Sequence, residues 1–273
     1  MPYITTNDGV KLYAKDWGTG RPVIMMHGWP LSSDTFDDLS AAIADAGMRA
    51  IAYDRRGFGR SDQPWDGYDY DTLSDDLSAV VEHVQARDAT ILGFSMGGGE
   101  VARYMSRHSG RGVKQAVLIA SVVPFMLKTP DNPKGVDQSV FDGMGQTIAA
   151  DRAKFWSGFF KDFYGVGTIS RPVSDEVIDW SRTMAMQASA KATLACAKAF
   201  STTDFRQDLR SFKVPTLVIH GGGDKIVPIE TSSRQAAAGI AGSTLVEYDD
   251  APHGLLASHK ARIAGDVLAF LRA

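Results

Sequence analysis

At 273 residues the chain is long enough to bury one large core, and its 44% hydrophobic content is that of an ordinary globular protein. Its 29 basic and 32 acidic side chains leave a net charge of −3 with no basic run or stripe, which excludes the usual nucleic-acid-binding signature. No apolar stretch approaches the roughly 18–20 residues of a membrane span. Cys196 is the only cysteine, so no internal disulfide can form; it lies in an Ala-rich helical stretch and reads as a small buried hydrophobe. Residues 1–6 lack a basic and then apolar signal pattern, so the expected compartment is the cytoplasm.

Segments 3–5 and 10–17 flank Asn7-Asp8-Gly9, a strong turn signal, and read as a hairpin. Residues 23–26 form a continuous apolar run, as expected for a strand covered on both faces. Phe36, Leu39, Ala42, Ile43 and Ala46 recur at helical spacing. A strand at 49–53 follows, then a helix marked by Leu73, Leu77, Val80, Val81 and Val84. The Asp75-Asp76 pair is expected near its start, where the helix dipole favours anions. Further strands are expected at 89–92, 113–120, 214–220 and 244–248. The final helix, 259–271, sets Ile263, Val267, Leu268 and Leu271 on one face.

Strands alternating with helices imply an α/β fold with a mostly parallel, doubly wound sheet. One interval breaks the rhythm. From about Ser121 to Lys213 no clear strand occurs, and large apolar residues gather instead, among them Met126, Phe155, Trp156 and Phe160. This reads as a helical cap, 122–212, inserted into a core made of 1–121 and 213–273. Most of its aromatic residues pack the cap onto the core. Phe125, Phe141, Phe159 and Phe163 are nominated to line a substrate pocket, with Pro30, Ile226 and Val227 from the core.

The chemistry begins at Gly93-Phe94-Ser95-Met96-Gly97, a Gly-x-Ser-x-Gly pattern between a buried strand and a helix that starts at once. Such a turn holds its serine on a strained bend, close to the free N–H groups of a helix N-terminus. A serine hydroxyl needs a base, and the base needs an orienting carboxylate. On a doubly wound sheet the chain order is serine, then acid, then histidine. His253, in Asp249-Asp250-Ala251-Pro252-His253-Gly254, is the histidine in the loop position of a general base. His83 and His108 read as surface residues on amphipathic helices, and His259 as exposed. His220 reads as a structural hydrogen bonder, and His27 as the residue that ties down its own loop. Asp224 ends a strand that runs into Gly221-Gly222-Gly223. It is preferred as the acid over Asp249 and Asp250, because a separate strand end can reach the far side of the imidazole. The oxyanion hole needs two main-chain N–H groups, expected from Met96 and from Trp29 in the loop His27-Gly28-Trp29-Pro30.

These motifs, with Asp54-Arg55-Arg56-Gly57-Phe58-Gly59-Arg60-Ser61 and Thr203-Asp204-Phe205-Arg206, span nearly the whole chain. Together they resemble the α/β-hydrolase superfamily, and within it the bacterial aryl esterases and cofactor-free (non-haem) haloperoxidases, or perhydrolases. Gly222 departs from relatives that often carry a polar or acidic residue there. The resemblance implies Ser95 as nucleophile, His253 as base, Asp224 as its orienter, and Trp29 with Met96 as oxyanion donors. It implies hydrolysis of aryl esters through an acyl-enzyme. It also implies peracid formation from a carboxylic acid and hydrogen peroxide, with no metal, haem or other cofactor. A proline restricts the residue before it and has no N–H, so Pro30 is expected to fix the Trp29 carbonyl toward the site, where it can accept a hydrogen bond from peroxide; in this family the Trp-Pro pair accompanies perhydrolysis, so that activity is expected. The implied partners are small molecules, an ester or carboxylic acid and hydrogen peroxide, with neither nucleic acid nor membrane; a symmetric homo-oligomer stays open.

Rival readings fall away unevenly. Neither Gly57-Phe58-Gly59 nor the run at Gly221 completes a dinucleotide-binding pattern, because positions 62 and 226 are Asp and Ile. A dehalogenase or epoxide hydrolase needs an acid where Ser95 stands. A lactonase, an amidase, a carbon–carbon bond hydrolase and a non-enzymatic ligand receptor all stay open on the same three residues.

Overall fold

The computed structural model describes residues 2–273. Its centre is an eight-stranded sheet in the order β1-β2-β4-β3-β5-β6-β7-β8. The strands are β1 (Tyr3–Thr5), β2 (Lys11–Gly18), β3 (Pro22–Met26), β4 (Arg49–Tyr53), β5 (Ala89–Phe94), β6 (Val113–Ile119), β7 (Thr216–Gly221) and β8 (Thr244–Tyr248). β1 pairs antiparallel with β2, and β2 with β4; every later pairing is parallel. The core helices are α1 (Asp37–Asp45), α2 (Tyr70–His83), α3 (Met96–Arg107), α7 (Ser233–Gly239), α8 (Leu255–Ser258) and α9 (Lys260–Arg272). β3 and β5 are buried at every position, which is why they read as unbroken apolar runs rather than as alternation.

The strand order positions the site. From β3 the chain first winds to β4 on one side, then returns to place β5 on the other. Loops that leave β3 and β5 therefore diverge from neighbouring strand ends and open a crevice at the carboxyl edge. Met26 at the end of β3 lies beside Gly93 near the end of β5, so His27-Gly28-Trp29 and Ser95 emerge side by side.

Between β6 and β7 lie α4 (Gln138–Phe163), α5 (Asp175–Gln187) and α6 (Ala190–Thr202). α4 is broken at Asp151, where φ is −157° and ψ is 88°. The Asp151 carboxylate accepts the Lys154 N–H at 2.9 Å and so caps the second half of the helix. Among the described residues no helix is long and apolar enough to cross a membrane.

Three local expectations are corrected. Asp75 and Asp76 do not serve the dipole of α2, which already begins at Tyr70. Asp76 is buried and takes the Arg56 guanidinium at 2.6 Å, while Asp75 pairs with Arg107 at 2.8 Å and with His108 at 2.8 Å. Arg56 also reaches Asp8 at 2.8 Å, so it ties the β1–β2 turn to α2. His108 is accordingly half-buried, and so is His259, which shares a 2.9 Å hydrogen bond with Ser258 and packs on the Tyr248 ring.

Candidate active site

The bend after β5 is built for one residue with glycines around it. Ser95 has φ +53° and ψ −116°, a conformation a side-chain-bearing residue adopts only under constraint. A Cβ on Gly93 would lie 2.3 Å from the Gly97 carbonyl oxygen, and one on Gly97 would lie 2.1 Å from that of Met26. Only glycine fits at either position, and the serine is thereby held at the start of α3.

The loops after β7 and β8 bring the other two side chains to it. His253 Nε2 lies 2.9 Å from Ser95 Oγ, and His253 Nδ1 lies 2.6 Å from Asp224 Oδ2. With the carboxylate accepting from Nδ1–H, Nε2 is left as an acceptor for the serine hydroxyl. All three residues are buried, with Ser95 5% exposed. The imidazole is wedged between Phe94 and Phe163, at 5.3 and 4.9 Å between ring centres.

Asp224 is saturated with donors. Its Oδ1 accepts the N–H groups of Ile226 and Val227, both at 2.8 Å, and Oδ2 also has His220 Nε2 at 3.1 Å. Burial alone would raise its pKa, but the two histidines outweigh that and hold the carboxyl far below the usual carboxylate range. It is therefore ionised at neutral pH. His220 is fixed in turn: Nε2 donates to the Val227 carbonyl at 2.9 Å, which leaves Nδ1 to accept the Ser233 hydroxyl at 2.6 Å. Asp249 and Asp250, the competing acids, are both exposed.

Two unbonded amides lie just beyond the neighbouring carboxyl ends of β3 and β5. Among the described residues, neither the Trp29 nor the Met96 N–H donates to a partner. The Trp29 indole is used otherwise: it donates to the Thr193 carbonyl at 3.0 Å and packs edge-on against Trp156, Phe159 and Phe200. Pro30 follows through a cis peptide bond.

Behind Trp29 the loop is pinned by a buried network. His27 Nε2 accepts the Arg55 N–H at 3.0 Å, so Nδ1 carries the proton and donates to the Gly28 carbonyl at 3.0 Å. Arg55 donates to the His27 carbonyl at 2.6 Å and through Nε to Glu100 at 2.6 Å. Tyr53 donates to the other Glu100 oxygen at 2.9 Å. Glu100 sits on α3, so one ion pair couples the Trp29 loop to the helix that starts after Ser95.

That network sets a pH prediction. Burial, with the Arg55 charge beside it, pushes the His27 pKa down to about 3. The folded value lies below that of the unfolded chain, roughly 6.5. Neutral His27 therefore contributes stability in full above about pH 6.5, and the contribution erodes as pH falls toward the folded value. The thermal midpoint, followed between pH 7 and pH 4, should fall less steeply in His27→Gln than in the wild type. Equal slopes would contradict the assignment.

A cavity of about 260 Å³ opens at Ser95. Of the nominated pocket residues, Phe141, Phe159, Ile226 and Val227 line it, together with Trp29. Pro30, Phe125 and Phe163 do not. Phe125 lies under the Arg206 guanidinium, 5.1 Å away, and Phe163 is spent on His253. Phe155, Met144, Val140 and Phe200 also line the cavity, beyond the residues the sequence points to. Phe155 and Met144 carry a usable signal, since they share helical spacing with Phe159 and Phe141. Phe200 is masked by the alanines of α6. Among the described residues, no three His, Cys, Asp or Glu side chains gather as metal ligands.

A family model described as the alpha/beta hydrolase fold matches residues 21–260. The chain belongs to the α/β-hydrolase family. Within this family it is 41% identical to the non-heme chloroperoxidase CPO-A1 of Kitasatospora aureofaciens, over 99% of each chain. It is 42% identical to a bifunctional esterase/perhydrolase of Acinetobacter calcoaceticus over the whole of both chains. The crystal structure of a bromoperoxidase from Bacillus anthracis shares this α/β-hydrolase architecture with a TM-score of 0.96, at 40% identity over 99% of each chain.

Proposed function

We propose that this α/β-hydrolase is a serine esterase acting on aryl esters through an acyl-enzyme, with perhydrolase and haloperoxidase activity when peroxide replaces water. The observation that carries the reading is the continuous relay from Ser95 Oγ through His253 to Asp224, at 2.9 and 2.6 Å. Relatives named as chloroperoxidase and as esterase/perhydrolase at about 42% identity supply the peroxide half.

Ser95 Oγ attacks the ester carbonyl as His253 Nε2 takes its proton. Asp224 steadies the imidazolium, and the oxyanion lies between the Trp29 and Met96 amides. His253 returns the proton to the departing alcohol. Water then attacks the acyl-enzyme, gives its proton to His253, and releases the acid as Ser95 is reprotonated. Hydrogen peroxide in place of water leaves as a peracid. The peracid oxidises halide in solution, yielding carboxylate and hypohalous acid, so no redox centre is required of the protein. Each oxyanion donor is worth roughly 3–4 kcal/mol in comparable sites.

Segment 122–212 acts as the cap in this reading, its α4 and α6 supplying the apolar wall opposite Ser95. A cytoplasmic location is part of this reading, and the lone, buried Cys196 is compatible with it. The test is hydrolysis of 4-nitrophenyl acetate, then halogenation of a dye with acetate, hydrogen peroxide and bromide. Turnover in the first assay without dye signal in the second would restrict the protein to hydrolysis. Pro30→Leu should lower the ratio of peracid formation to ester hydrolysis; an unchanged ratio would show that Pro30 only stiffens its loop.

A further inference from the structure

The cavity at Ser95 has a single charged residue in its lining, Lys225, and no acidic one. Its other walls are almost wholly apolar. Lys225 is exposed, and it enters no ion pair among the described residues. The carboxylate next to it in sequence is spent: Asp224 is buried and already holds His253, His220 and two main-chain N–H groups. Those same N–H groups belong to Ile226 and Val227, so the main chain that carries Lys225 is pinned at the rim. Lys225 is exposed, so water screens its ammonium, yet as the only charge in an otherwise apolar lining it biases the cavity toward anions. A neutral ester gains nothing from it.

We propose that Lys225 makes the site selective for esters whose acyl chain ends in a free carboxylate, that is, monoesters of dicarboxylic acids. This rests on the acyl-transfer reading of Ser95. An acyl-borne carboxylate stays in the cavity through both half-reactions, whereas a charge on the alcohol departs with the first.

The experiment compares mono-4-nitrophenyl adipate with its methyl ester, which share leaving group and chain length and differ in charge; the adipate chain, unlike a succinate or glutarate, is too long to release nitrophenol readily by closing to its own anhydride. The readout is the ratio of kcat/KM for the anionic over the neutral substrate, so that any general disturbance of the neighbouring Asp224 cancels. Lys225→Met should lower the ratio about fivefold, the upper range for one exposed charge pair. Lys225→Glu should lower it further, Lys225→Arg should preserve it, and 0.5 M salt should shrink the wild-type preference. Unchanged ratios in Lys225→Met and Lys225→Glu, with the neutral ester still turned over, would overturn the proposal. So would an effect seen only with 4-acetoxybenzoate against its methyl ester, where the charge sits on the leaving group. Failure of the wild type to hydrolyse either adipate, or 4-nitrophenyl acetate, would instead remove the acyl-transfer reading itself.

Discussion

Ser95→Ala should reduce kcat for 4-nitrophenyl acetate by about 10⁴-fold or more, with the thermal midpoint close to that of the wild type. The large loss follows from chemistry rather than packing. The substitution removes one oxygen from a bend whose shape is set by Gly93, Gly97 and the start of α3. What it leaves, the free amides and the cavity, still binds ester but has nothing to acylate. Asp224→Asn should behave differently in kind. The amide cannot both accept from His253 Nδ1–H and replace the charge that steadies the imidazolium, so kcat should fall by about 10⁴-fold with substrate affinity little changed. The dye signal with peroxide should vanish in both variants, because both activities pass through the same acyl-enzyme. Halogenation that survives Ser95→Ala would show a second, independent peroxide chemistry.

Glu100→Ala should cost stability and activity together. Removing the carboxylate leaves the Arg55 guanidinium buried without its partner and the Tyr53 hydroxyl without its acceptor. Breaking a buried pair in this way typically costs about 3–5 kcal/mol. The second consequence is specific to the site. Arg55 also holds the His27 carbonyl and, through its own N–H, the His27 ring. With Arg55 released, the Trp29 amide loses its fixed place relative to the Met96 amide on α3. On the proposed mechanism that is the loss of one oxyanion donor, which lowers kcat about 10²- to 10³-fold. Assayed well below its melting temperature, Glu100→Ala should therefore show a fall in kcat with KM nearly unchanged. Glu100→Gln, which keeps an acceptor for Arg55, should recover part of it. A lowered melting temperature with kcat within twofold of wild type would confine the network to stability.

The fold is largely legible in the sequence because its strands are either fully buried runs or bounded by strong turns, and because the glycines around Ser95 admit no other residue. Asp224 and His253 are legible from chain order, since a parallel sheet delivers the ends of β7 and β8 to the same edge as β5. The partners of Asp75 and Asp76 are not. Their counter-charges, Arg56 and Arg107, lie on separate elements, and pairwise proximity across elements leaves no local pattern. The pocket is legible only in part for a geometric reason. Phe159 and Phe163 are one helical turn apart on α4, yet the helix carries the first to the cavity and the second onto His253. The break at Asp151 sets how that helix turns, and an aspartate in a helical stretch does not announce it. Phe200 comes from α6, whose alanines mark a packed helix but not which face meets Trp29.

The most direct test is stoichiometric labelling with a fluorophosphonate ester, read by intact mass and peptide mapping. The proposed chemistry requires one phosphonyl adduct per chain, on the peptide that contains Ser95, with parallel loss of ester hydrolysis and of the peroxide-dependent dye signal. Full activity after complete labelling of Ser95, or activity lost through an adduct on another residue, would contradict it.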